Sequence, residues 1–89
     1  MMNRGDILKE AARLTSSDRQ NQYGDPRINH SRIADLWTTY LETQIEPDQV
    51  AICMALVKIA RLMETQSADS YIDLAAYAGI AGEIAMGNK

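Results

Sequence analysis

Apolar positions recur three and four residues apart along most of this chain, and the spacing predicts four helices. The first covers residues 6–14, with Asp6 as cap, Lys9 and Glu10 on the wet side, and Ile7, Leu8, Ala11, Ala12 and Leu14 as the apolar stripe. Residues 15–27 read as a long loop, rich in the turn formers Ser16, Ser17, Asp18, Asn21, Gly24, Asp25 and Pro26, with Tyr23 as an anchor. So long an irregular segment in so small a domain is often functional or disordered, and the Tyr23 anchor argues against complete disorder. The second helix starts between residues 26 and 29, capped by Asp25, and runs to about 43. Its wide apolar face is Ile33, Leu36, Trp37, Tyr40 and Leu41.

After a short connection at 44–46, Pro47 opens a third helix to about 63, with Asp48 meeting the positive end of the helix dipole. This helix is apolar nearly all round, which requires a central position or a covering partner. A turn at 65–68 leads to a fourth helix over 69–86, with Asp69 at its start and Gly87 as its stop. Ala75, Ala76, Ala78, Gly79, Ala81, Gly82 and Ala85 make it rich in small residues. Small residues four apart allow helix backbones to approach closely, and such contact is expected to offset the cost of two interior glycines, roughly 1 kcal/mol each.

Composition sharpens the fold class: Phe is absent while Ala, Ile, Leu and Met abound, which favours helix over sheet. The expectation is a single all-α domain over residues 1–89, a small bundle of about four helices. At 89 residues its core is small enough that a partner subunit is expected, so the chain is read as a homo-oligomer. The lone Cys53 excludes an internal disulfide and is expected to pack as a small buried hydrophobe in a reducing compartment. The start carries no apolar signal core, and no charge-free stretch spans a membrane, so a cytoplasmic protein is expected. A net charge of −3 argues against a broad grip on nucleic acid and leaves room for a small anionic ligand.

Two polar groups stand out. Lys58 and Arg61, three apart, lie on the apolar third helix, while Asp69 and Asp73, four apart, share a face at the start of the fourth. The short turn makes these helices antiparallel neighbours, so the cations can meet the carboxylates. One reading is a structural ion-pair cluster. The other makes Asp69 and Asp73 ligands for a divalent cation, magnesium being the candidate, and the cations grips for phosphate. The loop adds Arg19 for phosphate and Tyr23 as a stacking platform for a base, with Asp25 and Asn29 beside them. The same loop is also readable as an ordered turn in which Tyr23 packs down and Asp25 only caps. His30, the only histidine, is read as a surface or packing residue without a catalytic role, and Tyr71 and Tyr77 as core or interface residues. Ser16, Ser17 and Cys53 have no accompanying base, so nucleophilic catalysis gains no support.

The run Asp18-Arg19, Gln22-Tyr23-Gly24-Asp25-Pro26, Asn29, Ile33-Ala34-Asp35-Leu36-Trp37 and Tyr40-Leu41 resembles a family of small uncharacterised phage and prophage proteins. The later run Lys58-Ile59-Ala60-Arg61-Leu62 with Asp69-Ser70-Tyr71-Ile72-Asp73-Leu74-Ala75-Ala76-Tyr77-Ala78 belongs to the same pattern. More distantly, the chain resembles the MazG-like all-alpha nucleotide pyrophosphohydrolases. That resemblance implies a helical oligomer with a nucleotide site between helices, Asp69 and Asp73 at its acidic end, and Lys58 and Arg61 beside them. MazG-like enzymes hold magnesium with ExxE and ExxD pairs. This chain has no ExxE, and Asp69 and Asp73 are one residue too far apart for ExxD.

Three functions follow as expectations. The first is an oligomer that binds a nucleotide or nucleotide-derived signal through Arg19, Tyr23, Asp25, Asn29, Lys58 and Arg61, in the manner of an anti-defence sponge. The second is a magnesium-dependent pyrophosphohydrolase, in which metal activates water for attack on a phosphoanhydride. The third is a helical module that recognises a host protein.

Overall fold

Each helix begins where a side chain can take up amides that have no partner inside the helix. The computed structural model describes residues 2–16 and 24–87, and among them four α-helices form: α1 (Arg4–Leu14), α2 (Pro26–Leu41), α3 (Pro47–Glu64) and α4 (Ala68–Ala85). No strand occurs among the described residues. Asn3 Oδ1 accepts the Asp6 amide at 2.9 Å and Asp6 Oδ2 accepts the Asn3 amide at 3.0 Å. This reciprocal pair starts α1 two residues earlier than expected, with the cap at Asn3 and Asp6 inside the first turn.

Asp25 caps α2 as expected, its Oδ1 accepting the Arg27 amide at 2.9 Å with Pro26 first in the helix. The end of α2 comes two residues sooner than predicted, because Glu42 adopts a left-handed conformation with φ 54°. The Thr38 hydroxyl accepts the Ile45 amide at 2.9 Å and fastens the connection to α3. At the start of α4 the capping oxygen belongs to Ser67, which accepts the Ser70 amide at 3.4 Å. Asp69, expected to begin this helix and double as its cap, is instead an exposed residue of its first turn. Gly87, at φ 83°, ends the helical run as predicted.

The three-residue link at 65–67 folds α3 and α4 into a hairpin with the largest interface in the molecule; α1 packs on α4, and α2 on α3. The core is thin. Among the described residues its buried apolar residues are Ala11, Ala34, Val50, Ala51, Ala55, Ile72 and Ala81, and Val50 is the one large side chain wholly out of solvent. Alanine lets helices approach closely but removes little apolar area from water.

This packing bears on four expectations. Cys53 is exposed, because it lies on the outer side of α3. Of the two positions read for α3, the central one is not taken within this chain: the helix buries Val50, Ala51 and Ala55 and leaves Ile52, Leu56, Val57, Ile59 and Met63 exposed. Of the apolar face read on α2, Leu36, Tyr40 and Leu41 also face solvent, with Tyr40 85% exposed. Finally, Gly79 and Gly82 do not mediate a close approach, since a Cβ at either would meet nothing within 4 Å.

Two stability predictions follow. Gly79→Ala and Gly82→Ala should each stabilise the fold by up to about 1 kcal/mol, because alanine favours the helix and the space is open. A lower thermal midpoint would show that another backbone closes on this face. Val50→Ala should cost about 2 kcal/mol in urea unfolding, the transfer and cavity terms for a small buried side chain.

Candidate ligand-binding site

Where the end of α1 and the start of α2 meet the middle of α4, the helices line an open cleft of about 250 Å³. Leu14 and Thr15 line it from α1; Gly24, Pro26, Asn29 and His30 from the entry to α2; and Asp73, Ala76, Tyr77 and Ile80 from α4. Positions 73, 76, 77 and 80 share one helix face, which is why a single element supplies a carboxylate, a phenol ring and two aliphatic groups. Gly24 holds φ 91°, a conformation that admits few other residues, and this lets the chain turn directly into α2.

The polar groups around the cavity are unequally satisfied. Asp25 accepts from Arg27 through backbone and guanidinium, with Nη2 to Oδ2 at 2.8 Å. The Arg27 side-chain hydrogen bonds, followed by its backbone amide, hold the Asp25 carboxyl below the ordinary carboxylate range. Its backbone carbonyl accepts the Ile28 and Asn29 amides at 3.1 and 3.0 Å. The first amides of α2 are thus taken up by Asp25, and none of these is left for a bound anion. Lys58, whose side chain is 13% exposed, reaches from α3 to Asp73 with Nζ 3.2 Å from Oδ2. This cation is therefore already engaged.

His30 is the exception. It is 5% exposed, and its Nδ1 lies 2.8 Å from the Pro26 carbonyl oxygen one turn back. A carbonyl only accepts, so Nδ1 carries the proton, and in the neutral ring Nε2 is a bare acceptor. Nε2 is buried and, among the described residues, has no hydrogen-bond partner. The Tyr77 ring stands beside it, centroids 6.3 Å apart and tilted by 58°. Leaving such an acceptor buried and unmatched costs on the order of 1–3 kcal/mol.

The predicted site residues divide accordingly. Asn29 and Asp73 meet the Gly24–Pro26 segment at the cavity, and Lys58 adjoins it through Asp73. Asp25 stands at its edge as the α2 cap. Arg61 and Asp69 are exposed and do not line it. Arg19 and Tyr23 lie outside the described residues. Among the described residues no three His, Cys, Asp or Glu side chains gather as a metal-holding group. Tyr71, expected in the core or an interface, is exposed and donates its hydroxyl to Gln66 Oε1 at 2.7 Å. His30 and Tyr77 are the functional candidates that the sequence reading passed over. Their spacing from Asn29 and Asp73, one and four residues, was the available signal.

This site sits on an all-helical fold of the kind the sequence resemblance implied, and comparison with known proteins gives the family. Residues 6–85 match the model of DUF6378, described as a domain of unknown function, and the chain belongs to that family. It is similar to the Gene 55 protein of Mycobacterium phage L5, 42% identical over 76 residues, covering 83% of this chain and 49% of the relative. It is also similar to the Gene 55 protein of Mycobacterium phage D29, 47% identical over 74 residues, covering 82% and 49% respectively. The chain thus spans about half the length of the curated relatives it matches. No solved structure matches.

Two outcomes test the site's electrostatics. Lys58→Ala and Asp73→Ala should be non-additive in urea unfolding, with a coupling on the order of 1 kcal/mol, because both sever one partly shielded pair. Full additivity would mean the pair contributes nothing. The lowered Asp25 pKa gives a signed pH dependence. Its stabilising contribution is present above the unfolded carboxyl's value of about 3.9 and is lost as pH falls through the lower folded value. Asp25→Asn should therefore flatten the fall in thermal midpoint below about pH 4 relative to the parent chain.

Proposed function

We propose that this protein binds a nucleotide or nucleotide-derived small molecule, with the base end in the α1–α2–α4 cavity, and holds it without turnover. The supporting observation is the convergence of Asn29, His30, Asp73 and Tyr77 on one partly apolar cavity. At about 250 Å³ it approaches the lower end of small-molecule pockets, near 300 Å³, and suits a planar heterocycle better than a whole nucleotide. Its wall offers acceptors and an aromatic ring, while the adjoining cation and the α2 amides are already matched. Such a lining favours the N–H-bearing edge of a base over a phosphate. In this reading the phosphate lies toward the outer surface. Sequestration of a signal molecule, as in an anti-defence sponge, is the role that binding without turnover serves.

Equilibrium dialysis against nucleosides, mononucleotides and cyclic nucleotides is expected to give saturable binding at one site per chain, lost in Asn29→Leu combined with Asp73→Leu. Parallel incubation with magnesium or manganese should release neither phosphate nor pyrophosphate. Release abolished by Asp73→Asn would replace this reading with the pyrophosphohydrolase. Absence of binding across the panel would remove the nucleotide proposal.

We infer that the binding form is a homo-oligomer built on α3. Ile52, Leu56, Ile59 and Met63 are exposed along α3 and spaced four, three and four apart, the spacing of a coiled-coil seam. The neighbouring α2 adds the exposed Leu36, Tyr40 and Leu41, and one partner's share of a standard interface is about 800 Å². A second copy carries the same seam and can mate with it about a two-fold axis. Sedimentation should show a dimer or larger assembly, converted to monomer by Leu56→Glu with Ile59→Glu. A monomeric parent chain would contradict this, and a heteromeric complex with a host protein on the same seam would favour the interaction-module reading.

A further inference from the structure

The unmatched nitrogen of His30 specifies what the ligand must bring. This inference rests on the nucleotide reading and deepens it. Nδ1 is committed to the Pro26 carbonyl at 2.8 Å, so the ring is held in one orientation and, when neutral, in one tautomer. Its other nitrogen is then an acceptor at the ring end remote from the α2 backbone, nineteen-twentieths of the residue being out of solvent. Buried acceptors are matched in nearly all folded proteins, and those that are not require an explanation. Here the residue lines a cavity whose other polar side chains are Asp73, the Asn29 amide, the Tyr77 hydroxyl and Thr15, whose hydroxyl is committed to the Ala11 and Ala12 carbonyls.

We propose that His30 reads the ligand by accepting a hydrogen bond at Nε2 from a ring or exocyclic N–H of a nucleobase, and that Tyr77 shifts to admit that edge. The ligand class is therefore a planar nitrogen heterocycle with an N–H donor on its Watson–Crick edge. An analogue methylated once at a ring nitrogen, or twice at an exocyclic amine, both loses the donor and leaves Nε2 without a match. A site built to meet a donor discriminates against the analogue lacking it far more strongly than an apolar pocket discriminates by size. The charged and titratable groups facing the ring across the cavity are Asp73, with its partner Lys58, and Tyr77.

The test uses the full chain labelled with ¹⁵N-histidine, in which His30 is the only histidine and its signals are unambiguous. The probes are guanosine, adenosine, cytidine and uridine, then the N-methylated form of whichever binds best. In the free protein the unprotonated ring nitrogen should resonate as a non-hydrogen-bonded acceptor. Saturation with the best nucleoside should move it toward the hydrogen-bonded position, and the methylated form should not. His30→Phe should weaken the parent nucleoside at least tenfold while changing the methylated form less than threefold.

A resonance already hydrogen-bonded in the free protein would assign Nε2 to the Tyr77 hydroxyl and overturn the proposal. An unmoved resonance, or undiminished binding in His30→Phe, would also overturn it and leave the nucleotide reading standing. Failure of every nucleoside and nucleotide to bind the parent chain would remove both. If His30→Phe does not fold, the resonance of the parent chain decides alone.

Discussion

Close packing of small side chains in the α3–α4 hairpin governs everything else in this molecule. Ala51, Ala55 and Ala81 let the two helices approach, and Val50 and Ile72 fill what remains. The arrangement is geometrically tight but thermodynamically lean, since alanine removes little apolar surface from water. The larger aliphatic side chains of α2 and α3 are consequently left on the outside. A chain of 89 residues whose described part wholly buries one large side chain has little stability to spare. Assembly through the outer seam of α3 would add the apolar burial that the hairpin itself lacks.

The same geometry positions the cavity. Because α1 packs on α4 and α2 on α3, the α1 C-terminus and the α2 N-terminus meet over α4 without filling the space between them. Asp25 then settles the local electrostatics by taking up the first α2 amides and Arg27, while Asp73 engages Lys58. What remains unmatched is the acceptor on His30. The site is thus defined less by its charges, most of which are paired, than by one buried nitrogen without a donor.

Much of the fold was legible in the sequence. Helical spacing, Pro26 and Pro47 as openers, Asp25 as a cap and Gly87 as a stop all act locally, within a turn or two. The caps at Asn3 and Ser67 were missed because the side chains at Asp6 and Asp69 compete for the same role, and only the backbone geometry decides between them. Burial was less legible. Ile52, Leu56, Ile59 and Met63 have the composition of a core, and whether a second surface covers them depends on contacts outside this chain. The meeting of Asn29 with Asp73 was foreseeable as a convergence of the loop with the last helix. The role of His30 was not, because orientation of its ring depends on the Pro26 carbonyl, which no residue type announces.

Native mass spectrometry of the protein purified from host cells tests the central claim most directly, because subunit number and retained ligand appear in one spectrum. The account predicts an assembly of two or more chains carrying a nucleotide-sized mass on each, released on denaturation as a species with nucleobase absorbance. A bare monomer that also takes up no nucleotide when one is supplied would contradict it.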